Sequence, residues 1–109
     1  FLRRHDESTE VRAFGPFRLD LAAHKLFRDA AEIALTAKEF KLLAFLAARP
    51  GRALTRNAIL DGVWGDEVVV TDRSVDRCVT TLRAKIEADP RAPQFVRTIR
   101  DIGYRFDPG

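Results

Sequence analysis

Between Thr71 and Glu87, Val75, Val79, Leu82 and Ile86 recur at i, i+4, i+7 and i+11, a spacing that places all four on one narrow side of a helix. At about 100° per residue, Arg73, Arg77, Thr80 and Ala84 fall opposite that stripe, with Thr81 beside them. The stripe requires a protein core behind it, and the ridge in front is cationic and hydroxyl-bearing. From Arg73 to Lys85 four cations stand against the single carboxylate Asp76. A helix of this shape can enter a DNA major groove while its back packs on a core. An ordinary amphipathic surface helix has the same pattern, so the flanking sequence has to decide between the two.

At 109 residues, 46% apolar and 32% charged, the chain has the size and composition of one soluble globular domain, with or without a tail. A net charge of +3 is small, and only its clustering on one helix agrees with a polyanionic partner. One cysteine excludes an internal disulfide and fits a reducing, cytoplasmic setting. No apolar run approaches the roughly 18 residues of a membrane span, so no membrane partner is expected. The start, Phe1-Leu2-Arg3-Arg4-His5, has neither an initiator Met nor the apolar core of a signal peptide, and reads as part of a longer protein. There is no nucleophile–base signature, no Gly-rich phosphate loop and no spaced carboxylate pair, so catalysis is not expected. His5 and His24 lie far apart, which gives no metal site, and no cofactor is expected.

Along the chain, residues 1–13 carry three Arg against Asp6, Glu7 and Glu10 and read as an interdomain linker. Gly15-Pro16 punctuates a short segment around Val11 to Phe14. Phe17, Leu19 and Leu21 then alternate with Arg18 and Asp20, and strands follow over 25–28 and 32–35. Thr36-Ala37-Lys38-Glu39 is a capping box opening a helix to about Arg49, whose apolar surface is wide enough to be covered on two sides. Ala53-Leu54 reads as a minimal strand before the N-cap candidate Thr55. The next helix, from Arg56 to about Trp64, contains Gly62, for which a close helix contact is one reason. After the helix of 72–87, Pro90 and Pro93 stop regular structure. The segment 95–106 then reads as a β-hairpin, with Gly103 able to take φ > 0 and Arg97, Arg100 and Arg105 outside. Two helices joined by a loop and followed by a hairpin make a helix-turn-helix with a wing.

Leu35-Thr36-Ala37-Lys38-Glu39-Phe40-Lys41-Leu42-Leu43, the Arg49-Pro50-Gly51 end, Val63-Trp64-Gly65 and Arg73-Ser74-Val75-Asp76 stand in this order with Leu82 to Glu87 and the closing Arg100-Asp101-Ile102-Gly103-Tyr104-Arg105-Phe106. In that spacing they closely resemble the C-terminal effector domain of OmpR/PhoB-type response regulators, over essentially Phe14 to Phe106. The resemblance implies an α+β fold: a winged helix-turn-helix with an N-terminal four-stranded antiparallel sheet, three helices and a C-terminal β-hairpin wing. It implies a DNA-binding domain over 14–109, preceded in residues 1–13 by the end of a missing receiver domain. The expected function is sequence-specific double-stranded DNA binding in a bacterial two-component phosphorelay that controls transcription. The helix of 72–87 would sit in the major groove and the wing of 95–106 at the minor groove. The expected partners are tandem DNA half-sites bound as a dimer, RNA polymerase, and, in the full-length protein, the receiver and its cognate histidine kinase.

Carried over by position, Arg77, Thr80 and Thr81 are the expected base readers. Trp64, Arg73, Arg83, Thr98 and Arg100 are the expected phosphate or minor-groove contacts. Asp66, Glu67, Val68, Val69 and Val70 form the expected polymerase-contact loop. Physical chemistry qualifies these roles. A groove-facing Arg77 can hold guanine O6 and N7 in a bidentate way. Arg73 opposes the helix dipole, which favours phosphate duty over a structural one. Asp76 is expected to form an ion pair that orients a neighbouring Arg, Trp64 to be core with an exposed N–H edge, and Cys78 to be a packed thiol. Thr81 and Asp101 depart from the family pattern, which commonly has Arg and Gly there. An acid beside Arg100 would repel phosphate. Two alternatives stand beside this reading: a winged-helix module that grips protein, and a one-component regulator fused to another sensor.

Overall fold

The computed structural model of the protein describes residues 11–65 and 70–108. Of the linker expected over residues 1–13, residues 1–10 lie outside that set, and Val11, Arg12 and Ala13 belong to the first strand. Strands β1 (Val11–Phe14), β2 (Phe17–Asp20), β3 (Lys25–Arg28) and β4 (Ala31–Ile33) form an antiparallel meander in that order. Period-two alternation produces it: Phe17 and Leu19 are buried while Arg18 between them is exposed. The register aligns Leu19 with Leu26 and Leu26 with Ile33, lining the inner face with aliphatic side chains. The turns use His24 and Asp29 at φ of 57° and 55°, residue types that enter the left-handed region more readily than most. His24 stacks on Phe40, with ring centroids 4.5 Å apart.

Helix α1 (Ala37–Ala47) opens with the expected capping box: the Glu39 amide donates to Thr36 Oγ1 at 3.1 Å, and the Thr36 amide donates to Glu39 Oε1 at 2.9 Å. Phe40, Leu42, Leu43, Leu46 and Ala47 are all buried, as a helix covered on two sides requires. Strand β5 (Ala53–Thr55) leads into α2 (Arg56–Ile59), where Thr55 Oγ1 accepts from the Ala58 amide at 3.0 Å. The single helix expected to reach Trp64 instead widens into a π-helical segment, Leu60–Trp64, closed by the Gly65 amide donating to the Leu60 carbonyl at 3.1 Å. The close contact anticipated at Gly62 is present, because a Cβ there would run into the Phe45 ring.

Helix α3 (Asp72–Ile86) buries Val75, Val79 and Leu82 completely and Ile86 almost so. Each such side chain stabilises the packed state by roughly 1.5–3 kcal/mol. Glu87, expected as its last residue, lies just beyond the helix with extended backbone, and its buried carboxylate accepts from the amides of Gln94 at 2.7 Å, Phe95 at 3.1 Å and Val96 at 2.8 Å. That clamp folds the proline-bearing turn back and starts β6 (Val96–Ile99). Strand β7 (Gly103–Phe106) returns antiparallel and also pairs with β5, giving a second sheet in the order β5-β7-β6. Four rings join the two sheets: Phe14 lies 5.2 Å from Phe17, 5.1 Å from Phe95 and 5.1 Å from Phe106 by centroid.

The wing turn corrects one expectation. Asp101, not Gly103, holds the left-handed conformation, at φ 67°. Gly103 is small for another reason: a Cβ at that position would collide with the Leu54 carbonyl oxygen of β5. Backbone cannot swing aside as a side-chain tip can. Gly103→Ala is therefore expected to lower the free energy of unfolding by about 2 kcal/mol or more, within the range of overpacked sites. Urea denaturation measures it, and an unchanged midpoint would show that β5 does not seat against β7.

Candidate nucleic-acid interface

Helix α3 sorts its charges by side. On the flank towards the wing, Asp76 Oδ1 accepts from Arg56 Nε at 2.7 Å and from the Tyr104 hydroxyl at 2.6 Å. Burial alone would raise the Asp76 pKa, but the Tyr104 and Arg56 hydrogen bonds outweigh it and hold the carboxyl below its ordinary value. The same contact, added to burial, pushes the Tyr104 phenol up. Two turns further, Arg83 Nε donates to the Val96 carbonyl at 2.9 Å and Nη2 to Thr98 Oγ1 at 2.7 Å. The Arg83 guanidinium also sits 5.4 Å from the Tyr104 ring centroid. Burial lowers the Arg83 pKa, yet a guanidinium stays cationic at any physiological pH.

On the flank towards α1, Lys85 Nζ donates to Glu39 Oε1 at 2.6 Å. The Glu39 carboxylate is buried and also caps α1, so one side chain joins the two helices. Burial raises its pKa, while Lys85, the Thr36 amide and the Thr81 hydroxyl together pull it below the usual value. Cys78 is buried beside it, and burial with the Glu39 charge pushes the thiol up to about 11, as befits a packed and unreactive sulfur.

Between these flanks the ridge is open. Arg73, Arg77, Thr80 and Thr81 are exposed. Neither Arg73 nor Arg77 forms a hydrogen bond or ion pair with another described residue, although the Arg73 charge is felt at Asp76. Thr80 Oγ1 donates to the Asp76 carbonyl at 2.9 Å and Thr81 Oγ1 to the Cys78 carbonyl at 3.0 Å. The Thr80 hydroxyl hydrogen thus points back along the helix, leaving its methyl group and acceptor lone pairs towards solvent, while the Thr81 hydroxyl lies within reach of both the Cys78 carbonyl and the Glu39 carboxylate. Beside the ridge, Trp64, Ser74, Arg77 and Thr81 line a groove of about 330 Å³. Trp64 is mostly buried, with the Lys38 ammonium 5.5 Å above its ring, and its indole N–H has no partner among the described residues.

The sites expected from the sequence therefore fall into groups. Arg73, Arg77, Thr80 and Thr81 share one surface, with Trp64 at its edge and Arg100 exposed at the wing tip. Arg83 and Thr98, both expected at phosphates, are bonded to each other. Asp66, Glu67, Val68 and Val69 of the expected polymerase loop lie outside the described residues, and Val70 is half-buried against the core. Asp76 does make the ion pair expected of it, but with Arg56 of α2. The roles of Glu39 beyond its cap, and of Lys85, Arg56, Tyr104 and Glu87, carry no local signal, because every partner is distant in sequence.

The family described as "Transcriptional regulatory protein, C terminal" matches residues 30–106. Transcriptional regulatory protein AfsQ1 of Streptomyces coelicolor is 42% identical over 108 residues, which is 98% of this chain and 48% of that protein. DNA-binding response regulator MtrA of Mycolicibacterium smegmatis is 42% identical over 106 residues, 97% of this chain and 46% of that protein. The chain thus spans about half the length of these relatives. Among solved structures, response regulator DrrB of Thermotoga maritima, an OmpR/PhoB homologue, superposes with a TM-score of 0.84 at 33% identity, covering 97% of this chain and 49% of that one. The Klebsiella pneumoniae RstA DNA-binding domain, solved in complex with the RstA box, gives 0.82 at 29% identity, covering 92% and 99%.

The roll of α3 rests on Glu39–Lys85 as much as on apolar packing. Because the folded Glu39 pKa is depressed, its contribution to stability is present above the unfolded value of 4.5 and is lost as pH falls through the folded one. Lys85→Met leaves the carboxylate buried without its cation and is expected to cost about 2 kcal/mol at pH 7, less than a fully buried pair, since Lys85 is partly open to water. The difference from the parent should shrink as the pH falls below the unfolded value of 4.5 and Glu39 protonates. Urea denaturation at pH 7 and through a series of pH values below 4.5 tests this, and a gap that ignores pH would place the effect elsewhere.

Proposed function

The chain belongs to the transcriptional regulatory protein C-terminal family, and from that membership we propose that it is the duplex-DNA-binding effector domain of a two-component response regulator. The observation that carries the reading is the sorting of charge on α3. Asp76, Arg83 and Lys85 are bonded within the protein, whereas Arg73 and Arg77 face solvent beside two threonines. A helix that only had to be solvated would have no reason to keep its unpaired cations on one ridge. The solved RstA complex with its DNA box, on the same fold, supports the same use of the surface.

In this reading α3 enters the major groove. Arg77 reads a base edge, with guanine O6 and N7 the natural fit, and Arg73 neutralises a phosphate. Thr80 and Thr81 offer methyls to a thymine and acceptors to an exocyclic amine. Trp64 directs its free N–H to a backbone oxygen, and Arg100 carries the wing into the adjacent minor groove. With a net charge of only +3, a single domain binds weakly, and tight binding comes from two copies on tandem half-sites. A receiver domain in the full-length protein, phosphorylated by its histidine kinase, would bring them together. The loop of residues 66–70 is the candidate contact for RNA polymerase. The family is one of transcriptional regulators rather than enzymes. No helix among the described residues is long and apolar enough to cross a membrane, and a cytoplasmic location follows from the proposed partner.

Two substitutions test the assignment. Arg77→Ala is expected to reduce discrimination among duplexes by about 1–3 kcal/mol at one base position, seen by comparing selected and scrambled sequences at fixed salt. Equal weakening on every sequence would remove Arg77 from base reading. Asp101→Asn keeps a residue type that tolerates φ 67° while deleting the acid beside Arg100. It should tighten binding about threefold at low salt, an advantage that fades as salt rises. Unchanged affinity would show that the wing tip stays away from the backbone.

A further inference from the structure

Thr81 stands on the ridge of α3 with a buried carboxylate beside it. The groove between α1 and α3 is lined by Glu39 as well as by Thr81, Cys78 and Arg77, and Glu39 is the one acid in its walls. The Glu39 side chain is only 5% exposed, and its Oε1 accepts from the Thr36 amide at 2.9 Å and from Lys85 Nζ at 2.6 Å. Resting on the DNA-binding reading above, we infer that Glu39 is a positioning residue for base recognition. It draws the Thr81 hydroxyl into the protein, so that Thr81 reads a base through its methyl group alone, and the base it selects is one with a C5-methyl, thymine.

A threonine hydroxyl has one hydrogen, and here two acceptors inside the protein compete for it. The Cys78 carbonyl lies 3.0 Å from Thr81 Oγ1, and the Glu39 carboxylate is within reach. A bond to an ionised carboxylate is roughly twice as strong as one to a neutral carbonyl. The Thr36 and Lys85 bonds both fall on Oε1, so Oε2 is the oxygen left for Thr81. Whichever acceptor holds the hydrogen, it is not offered to a base. The two branches of a threonine occupy different staggered positions at Cβ, so fixing Oγ1 fixes where the methyl stands. Thr81 is exposed, and with its hydroxyl held by the protein the methyl is what meets a ligand. In the major groove of unmodified DNA only thymine presents a C5-methyl. Glu39 itself is tied down at both ends of the contact, to the start of α1 by its cap and to α3 by Lys85. Thr80 stands apart, since its hydroxyl donates to the Asp76 carbonyl of its own helix and it does not line the groove. Thr81 is also a position where this chain departs from the family, which commonly has Arg there, so the device belongs to this chain and not to the shared pattern.

The test uses a duplex that the domain itself selects from a randomised pool, resynthesised with each thymine in turn replaced by deoxyuridine. Uracil lacks the C5-methyl and keeps every hydrogen-bonding group. At one position the parent should bind thymine about fourfold more tightly than uracil, the contribution of one buried methyl. Thr81→Ser should erase that preference, and Thr81→Val should keep it. Glu39→Gln is compatible with a capping box and retains an oxygen for Thr36 and Lys85, but it puts an amide N–H where Thr81 had its acceptor. The threonine is then released from its orientation, and the preference should fall towards parity. In Glu39→Gln/Thr81→Val a methyl stands on both branches, so the full preference should return. A Glu39 that set only the roll of α3 would lower it in both backgrounds. A second measurement needs neither DNA nor a Glu39 variant: followed by NMR, the Glu39 carboxyl titration should move to higher pH in Thr81→Val, which removes a bond that favours the ionised form. If the parent shows no salt-dependent binding to any duplex, the DNA-binding reading itself falls. If it binds but no thymine preference depends on the Thr81 methyl, or Thr81→Val abolishes that preference, the methyl reading alone is overturned. A preference that survives Glu39→Gln, a loss that persists with Thr81→Val, or an unmoved Glu39 titration overturns the positioning role.

Discussion

The burial of one narrow stripe, Val75, Val79, Leu82 and Ile86, decides which way α3 faces, and most of the molecule serves to cover it. A stripe one residue wide leaves the roll of a helix loosely determined. A rotation of 20° would carry a side-chain tip, 5–6 Å from the axis, through about 2 Å. That is most of the tolerance of a hydrogen bond to a base edge. Charged contacts on both flanks remove the freedom: Asp76 and Arg83 hold one side against α2 and the second sheet, and Lys85 holds the other against Glu39 of α1. The apolar stripe provides the energy and the polar flanks provide the angle.

The same contacts make α3 and the wing one body. Tyr104 of β7 donates to Asp76, and its ring lies beneath the Arg83 guanidinium, which itself reaches Val96 and Thr98 of β6. The Phe14, Phe17, Phe95 and Phe106 rings then fix the base of the wing to the N-terminal sheet. Distance between the two reading elements is thereby set by the protein and not by the ligand. Substitutions at the wing's root should thus alter how α3 binds, even though they touch no base.

Much of this was legible where the physics is local. The Thr36–Glu39 capping box, the stripe on α3, the alternating strands and the hairpin each depend on residues a few positions apart. What could not be read depends on distant partners. Ala53-Leu54 reads as a minimal strand, but the pairing of β5 with β7 follows only from how the chain returns. Gly103 reads from the sequence as a residue for positive φ. The left-handed position falls instead to Asp101, and Gly103 is small because β5 lies against it. The π-helical widening at Leu60–Trp64 was hidden for a similar reason, since its residues are ordinary helix formers apart from Gly62.

Arginine shows this most clearly at the interface. Arg77 and Arg83 are the same residue on one helix, and sequence position alone assigns both to the ligand. Arg77 projects from the ridge, where no described residue meets it, while Arg83 leans to the wing side and finds a carbonyl and a hydroxyl on β6. The modest net charge of +3 therefore understates the field near the ligand: Glu39, Asp76 and Glu87 are turned inward, onto partners that hold the reading surface in place. Acids in this domain position the surface, and the arginines left unpaired define it.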